Sequence, residues 1–200
     1  MGSNSPSVLV VDPGAPSAGI ERQKIFIRNL RKNHISAINK SSYKTEHDTL
    51  HMDIFSSMEL DHEAVRAQFL KLQNLPLTQH HARAEQFGQL KDALSLHLDT
   101  EEQVLYSTLS RILPQSRILH DALEQHKKIR LALNELDHIP VESQVWMDRF
   151  NSLSDLFIRH TLQEEIDLFP QAWDMLEEAT LKNLMQRTAN LGQVKLPDRL

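Results

Sequence analysis

Apolar side chains recur every three or four residues along four stretches of the chain. This period places them on one face of an α-helix. The stretches cover about residues 49–74, 79–113, 116–136 and 142–168, and the segments between them contain Pro76, Pro114 and Pro140. A fifth amphipathic helix is predicted to begin near Pro170 and to end at Asn190, before a glycine. The pattern therefore predicts an all-α fold.

Histidine and glutamate interrupt these apolar faces at matching positions. The six polar residues that lie in phase with the apolar stripes are His62, His97, Glu101, His126, His160 and Glu164. His62 and His97 are 35 residues apart, and His126 and His160 are 34 apart, so the second half of the pattern repeats the first. Two helical hairpins of equal span predict an up-down-up-down four-helix bundle with approximate internal twofold symmetry.

The spacing of a His four residues before a Glu is a weak signal by itself, because the chain contains five such pairs. The five pairs differ in their position relative to the apolar stripe of the helix. His97/Glu101 and His160/Glu164 lie on apolar stripes, whereas the other three pairs are turned away from the stripes or fall in a turn. We expect those three on the surface: His81/Glu85, His120/Glu124 and His138/Glu142.

Two glutamates in the centre of a bundle need a compensating charge. Burying an unpaired carboxylate costs several kcal/mol even after relaxation. Two divalent cations shared by two carboxylates relieve that cost, and helical bundles are known to hold such sites. The chain has no cysteine, so any metal must be held by imidazole and carboxylate groups, which leaves iron, manganese and zinc open.

Composition and charge set the wider limits. With 200 residues and 40% hydrophobic content, the chain suffices for one domain with a real core. We expect a flexible basic arm at 1–48, the bundle with its extra C-terminal helix at 49–190, and a tail at 191–200. Residues 51–200 hold fifteen basic against twenty-three acidic side chains, which argues against nucleic acid as the main partner. No leader-like or membrane-spanning apolar segment is evident, so a cytoplasmic protein is expected.

The order of the polar residues resembles a known family. A lone His, then His-x-x-x-Glu-Glu, is followed by a second lone His and a second His-x-x-x-Glu-Glu, with Leu-Tyr or Leu-Phe-Pro after the pairs. This order over residues 50–190 is similar to the hemerythrin-like, or HHE cation-binding, domain. The resemblance implies a hemerythrin-like bundle with two iron ions joined by an oxo, hydroxo or water bridge. It also implies that Glu101 and Glu164 bridge the irons, with terminal ligands His62, His97, His126 and His160.

The chain departs from the oxygen-carrying branch of that family. Those proteins have a fifth His one turn from the third-helix His, where this chain has Ala122 and Arg130, and an Asp near the last His, where it has Glu164. The set of four His and two Glu is more similar to di-iron proteins of iron-centre repair, nitric oxide response and iron sensing. The repair proteins also carry a cysteine-bearing segment, which this chain lacks.

Residues beside the six leave several alternatives open. Glu102 and Glu165 could accept the free ring N–H of a ligand His or pair with Arg66 or Arg130, or they could be solvated helix charges. Tyr106 is expected to be a packing aromatic. Other histidines are weak candidates: His51 and His80 lie more than about 15 Å along their helices from the site, and His34 and His47 lie on the arm.

Three functions fit these observations. The first is a di-iron protein that binds or reacts with O2, NO or peroxide, in sensing, detoxification or iron handling. The second is an enzyme that activates oxygen for an organic substrate, and the third is an iron-responsive interaction module. The pattern leaves open whether the chain is an enzyme and whether its arm recruits a protein partner.

Overall fold

A computed structural model of the chain describes residues 53–194. Within that range every regular element is a helix: α1 (Ile54–Gln73), α2 (His80–Thr100), π1 (Glu101–Tyr106), α3 (Ser107–Ile112), α4 (Arg117–Leu136), α5 (Gln144–Gln163), π2 (Glu164–Leu168), α6 (Phe169–Trp173) and α7 (Glu178–Val194). The segments α2, π1 and α3 follow one another without a break, as do α5, π2 and α6. The predicted arm, together with His34, His47 and His51, lies outside the described residues.

Four long helices close into a bundle, as predicted. α1 packs against α2 and α5, and α4 packs against α2 and α5. Short connections join successive helices, and this favours antiparallel neighbours. α7 packs beside the bundle on α1, α2 and π1. None of the helices in residues 53–194 combines the length and apolar character that crossing a membrane requires.

Local sequence signals set the helix starts. The Asp53 carboxylate accepts hydrogen bonds from the backbone N–H groups of Phe55 and Ser56 at 2.9 and 3.0 Å. Ser116 and Ser143 cap α4 and α5 in the same way. Such caps satisfy backbone donors that the first helical turn leaves unpaired. Three of the long helices therefore begin directly after a residue whose side chain caps the helix.

The prediction of a new helix at Pro170 was wrong. The fourth long helix instead continues through π2 and α6 to Trp173, with Pro170 in the first turn of α6. Pro170 directly follows the wider turn of π2, where the backbone hydrogen bonds change from the π to the α register, and the continuous helix accommodates a residue without an N–H there. The fifth helix begins later, at Glu178, and runs through Gly192 to Val194 rather than ending at Asn190.

The core consists of two apolar clusters with a polar layer between them. The first cluster contains Met58, Val104, Ala122 and Leu168, and α7 contributes Leu184. The second contains Val65, Leu98, Ile129 and Phe157. Each long helix therefore contributes to both clusters. On each helix the predicted site residues fall between or at the border of the two sets, so the bundle carries them all to one level.

Arg83 closes the end of the bundle that lies beyond the second cluster. Its fully buried guanidinium donates hydrogen bonds to the carbonyls of Leu75 at 2.9 Å and Val141 at 3.3 Å, and it lies over the Trp146 ring at 5.1 Å. These contacts tie the first and third interhelical connections together. A charged residue in this place could not be foreseen from the apolar pattern.

Candidate metal centre

The six polar residues singled out by helical phase form the layer between the two apolar clusters. Their exposures lie between 0 and 3%, so each is removed from solvent. They are His62, His97, Glu101, His126, His160 and Glu164. The two hairpins thus bring one lone His and one His/Glu pair each to the same place, as the internal repeat predicts.

Glu101 lies between two pairs of histidines. Its Oε1 is 3.3 Å from His62 Nε2 and 3.4 Å from His97 Nε2. Its Oε2 is 3.2 Å from His126 Nε2 and 3.7 Å from His160 Nε2. Each carboxylate oxygen therefore faces one histidine pair, an arrangement suited to bridging two cations.

Glu164 is placed less symmetrically. Its Oε2 lies 3.3 Å from His62 Nε2 and 3.2 Å from His160 Nε2, so it contacts one histidine from each pair. Its Oε1 accepts a hydrogen bond from the Tyr106 hydroxyl. One oxygen of Glu164 is thus directed to the histidines and the other to a phenol.

Glu165 supports His62 from outside the layer. The Glu165 Oε1 lies 2.7 Å from His62 Nδ1 and accepts a 2.7 Å hydrogen bond from Arg66 Nη2. Arg66 Nη2 also donates to the Thr161 hydroxyl. Glu165 therefore has both roles that the sequence left open, since it contacts the ring nitrogen and pairs with an arginine.

Glu102 does the same for His126. The Glu102 Oε1 lies 2.8 Å from His126 Nδ1 and accepts a 3.1 Å hydrogen bond from Arg130 Nη1. Arg130 Nη2 also binds the Asp99 carboxylate at 2.8 Å. A carboxylate that accepts the outer N–H of a histidine fixes the tautomer and leaves the inner nitrogen to face the site.

The other two histidines differ from each other. His160 Nδ1 lies 3.1 Å from Gln125 Oε1, and the amide of Gln125 donates to Gln163 at 2.7 Å. His97 Nδ1 has no hydrogen-bond partner in the described part of the chain. Gln125 was missed in the sequence. Its only signal is its place directly before His126, beside the apolar stripe.

Burial and neighbouring charges shift the pKa values of the residues in the layer in opposite directions. Burial lowers the pKa of His97 to about 3, so this imidazole is neutral. Burial also acts to lower the pKa of His62, but contacts with Glu101 and two further carboxylates outweigh it and raise the pKa well above its ordinary value. Burial would raise the pKa of Glu101, yet the surrounding histidines hold it well below its usual range. Glu101 is therefore an anion among imidazoles.

Tyr106 is more than the packing aromatic that was expected. It is buried, its ring stacks on His126 with centroids 5.1 Å apart, and its hydroxyl lies 3.3 Å from His126 Nε2. In a regular α-helix a residue five positions after Glu101 would point about 140° away from it. The wider turn of π1 brings Tyr106 round to the site. Burial and the nearby Glu164 raise the pKa of Tyr106 well above its usual value, so the phenol keeps its proton.

Several buried nitrogen and oxygen atoms of the layer that could bind a metal have no hydrogen-bond partner within the described residues. They are both ring nitrogens of His97, Oε2 of Glu101 and Oε2 of Glu164. His126 Nε2 also faces His160 Nε2 at 3.1 Å, and because the Nδ1 atoms of these rings face the acceptors Glu102 and Gln125, both Nε2 atoms are left with lone pairs that a cation would join. Two groups have ligand atoms within 4.8 Å of one another, His62/His97/Glu101 and Glu101/His126/His160. This donor set fits two cations that share Glu101.

Three further His/Glu pairs with the same spacing lie elsewhere, as phase predicted. His81, Glu85, His120, His138 and Glu142 are exposed, and Glu124 is half-buried. His80 is exposed as well. None of these residues belongs to a group able to hold a metal in the part of the chain that the structure describes.

Comparison with known proteins identifies the class. The hemerythrin HHE cation-binding domain model matches residues 53–172. Because this match spans more than half of the chain and includes all six residues of the layer, the chain belongs to the hemerythrin HHE cation-binding family. Membership implies metal binding, and the fold is the one expected for the family.

Two individual proteins resemble the chain. A hemerythrin HHE cation-binding domain-containing protein from Mycobacterium kansasii has a similar fold, with a TM-score of 0.62 and 21% identity over 70% of this chain and 86% of that one. A curated protein from Nostoc sp. named DNA nickase is 29% identical over 136 residues. That match covers 67% of this chain and 36% of the Nostoc protein, so the chain spans about a third of that relative's length.

Proposed function

We propose that the chain is a non-haem di-iron protein that binds or reacts with a small diatomic or oxidant ligand, O2, NO or peroxide, in sensing, detoxification or iron handling. The observation that carries the proposal is the placement of Glu101, with one carboxylate oxygen toward His62 and His97 and the other toward His126 and His160. A carboxylate in that position can join two metal ions, each with its own histidine pair.

Each residue has a role in this proposal. Glu101, Glu164 and the Nε2 atoms of the four histidines would hold the two ions, and the two carboxylates would neutralise much of the metal charge. Glu102 and Glu165 hold the Nδ1 protons of His126 and His62, so that Nε2 presents its lone pair inward. Two ferrous ions in this place would supply open coordination positions and electrons for a small oxidant.

The depth of the layer favours a small ligand. All six residues are almost completely buried, and apolar rings stand next to them. Phe157 has its ring centroid 5.8 Å from that of His97, and Phe169 stacks on His62 at 5.9 Å. These rings place apolar side chains against the histidines and exclude bulk water. A diatomic molecule or a peroxide reaches a layer buried in this way more easily than an organic substrate.

The number of histidines favours reaction or iron handling over oxygen storage. The layer has four histidines, and the position of a fifth, one turn from His126, is taken by the buried Ala122 on one side and by Arg130 on the other. Fewer protein ligands leave more exchangeable positions on a metal. We therefore infer reactivity or iron lability rather than reversible carriage.

Two other functions stay as alternatives. An oxygen-activating enzyme would need room for an organic substrate next to the irons, and an iron-responsive module would need the bundle to gain order with metal. DNA nicking, the name of the Nostoc relative, is less well supported. The buried layer would have to open to admit a phosphodiester, and the net charge of -5 opposes binding to DNA.

The test is anaerobic reconstitution with ferrous iron. We expect about two irons per chain, the number that two histidine pairs and a shared carboxylate would hold. The optical spectrum is then followed as O2, NO or hydrogen peroxide is added and removed. A spectral change that follows the ligand reversibly indicates binding, one that persists indicates redox chemistry, and helicity that rises only with iron indicates sensing.

A matched pair of double variants provides the control. His97→Ala with His160→Ala should abolish iron binding, because the two changes together remove one ligand from each histidine pair. His81→Ala with His138→Ala removes two exposed histidines that also precede a Glu by four residues, and it should bind iron like the wild type. Failure of the wild type to bind iron, or retention of both ions by the first variant, would contradict the proposal.

A further inference from the structure

Two aromatic residues occupy equivalent positions in the internal repeat. Tyr106 follows His97 by nine residues, and Phe169 follows His160 by nine. Both are buried, and each stacks on the lone His of the opposite hairpin. Tyr106 lies on His126 with the ring planes 30° apart, and Phe169 lies on His62 with the planes 16° apart. The two equivalent positions therefore share an aromatic ring, but only Tyr106 carries a hydroxyl group.

The hydroxyl makes the two halves of the layer chemically different. Tyr106 donates to Glu164 Oε1 and lies 3.3 Å from His126 Nε2, whereas Phe169 can donate nothing to Glu101. Glu101 consequently has both oxygens directed at histidines, one toward each pair. Glu164 directs only Oε2 toward them.

Resting on the di-iron function proposed above, we infer that Tyr106 is a positioning residue that makes the two metal positions unequal. By holding Glu164 Oε1, it limits the carboxylate oxygen available to the position beside His126 and His160. That position is the less completely ligated one, and it lies next to a phenol hydroxyl. A small anionic ligand would bind at that position, because the hydrogen bond from Tyr106 keeps Glu164 Oε1 from occupying it.

The experiment compares Tyr106→Phe with wild type, both loaded with iron-57. The ferrous wild type should give two Mössbauer doublets of similar area, and the variant should alter one of them and leave the other in place. In the ferric proteins, azide is the probe for a small anion. In the variant, Glu164 Oε1 loses its hydrogen bond from Tyr106 and competes with azide for that position, which should weaken azide binding roughly tenfold.

Two further variants separate the hydroxyl from the ring. Tyr106→Leu removes both, and Phe169→Tyr adds a hydroxyl in the other half, where it should alter the doublet that Tyr106→Phe leaves unchanged. If Tyr106→Phe matches the wild type in both measurements while Tyr106→Leu differs, the ring acts only by packing and the inference is overturned. Equal change in both doublets would overturn it too.

The outcome also distinguishes this inference from the function on which it rests. A wild type that takes up no iron overturns both. A wild type that takes up two irons, with Tyr106→Phe identical to it, overturns only the role of Tyr106. Circular dichroism of each apoprotein identifies a variant that fails to fold, and Tyr106→Phe keeps the ring and loses a single oxygen atom, so it decides the question alone.

Discussion

The His62 side and the His126 side of the layer carry the same residue types in different surroundings. On the His62 side, Glu165 and Arg66 are 15% and 13% exposed, and the ring that stacks on the His is a phenylalanine. On the His126 side, Glu102 and Arg130 are 35% and 37% exposed, and the ring is a tyrosine. The repeat has therefore duplicated the donors while their environments have diverged, with one side dry and the other partly open to water.

The largest expected difference separates the two central carboxylates. Glu101→Gln should abolish binding of both ions, because each oxygen of Glu101 faces one histidine pair. Glu164→Gln should weaken iron binding but retain part of the iron, since only Oε2 of Glu164 faces the histidines and the two pairs share it. Metal analysis after anaerobic loading and desalting measures the difference. Both variants keep the side-chain volume.

Glu85→Gln serves as the control for the central carboxylates, because Glu85 is exposed and also follows a His by four residues. It should bind iron like the wild type. Equal metal loss in Glu101→Gln and Glu164→Gln would show that the two carboxylates are equivalent, and the asymmetry of their contacts would then have no consequence for metal binding.

Variants of the outer carboxylates, Glu165 and Glu102, should differ from each other in metal affinity by a smaller amount. Replacing a residue that orients a metal-binding His typically weakens metal binding by about ten- to a hundredfold. Glu165→Ala should fall near the upper end of that range, because it leaves Arg66 with its charge in a nearly dry place. Glu102→Ala should fall near the lower end, since water can replace the lost oxygen. Competition with a chelator for Co²⁺ measures both affinities.

Arg66 and Arg130 supply the check on this order. If burial of the charge is the cause, replacing the arginine together with the carboxylate should recover part of the lost affinity on the His62 side and little on the His126 side. The pairs to compare are Glu165→Ala with Arg66→Met and Glu102→Ala with Arg130→Met. A larger loss from Glu102→Ala than from Glu165→Ala would refute the contrast between a dry and an open side.

A third difference lies between His160 and His97. Gln125→Ala removes the acceptor of His160 Nδ1 and makes this His resemble His97, which has no such partner in the described residues. A neutral hydrogen bond contributes about 1 kcal/mol, so metal affinity should fall about fivefold. Gln163→Ala, which removes only the partner of the Gln125 amide, should have less effect. Equal affinities of Gln125→Ala and wild type would show that His160 needs no support.

Helical phase explains why the centre could be predicted from the sequence. A His and a Glu four residues apart share a helix face, so the stripes of apolar residues determine which pairs point inward. This argument placed His97 and Glu101 in the core and His81 and Glu85 on the surface, and the structure confirms both placements. The short connections likewise indicated antiparallel neighbours before any tertiary contact was known.

The sequence could not reveal what depends on departures from regular helix. A period of 3.6 residues gives no sign of π1, and without π1 Tyr106 points away from the site. Pro170 predicts the start of a new helix, yet it lies within a helix that continues through π2 into α6. Gln125 and Arg83 are polar residues whose partners lie on other helices or connections, so only the tertiary structure brings them into view.

The smallest difference concerns Thr161, which accepts a hydrogen bond from Arg66. The equivalent position in the first hairpin is Leu98, so Arg130 has no matching hydroxyl and binds Asp99 instead. Thr161→Val should lower the free energy of unfolding of the apoprotein by about 1 kcal/mol and leave metal affinity within about twofold, because Glu165 still holds both Arg66 and His62. Urea denaturation measures the stability. Thr100→Val is the matched control, since the Thr100 hydroxyl donates to the carbonyl of Leu96 within its own helix, and the loss of this bond should cost less.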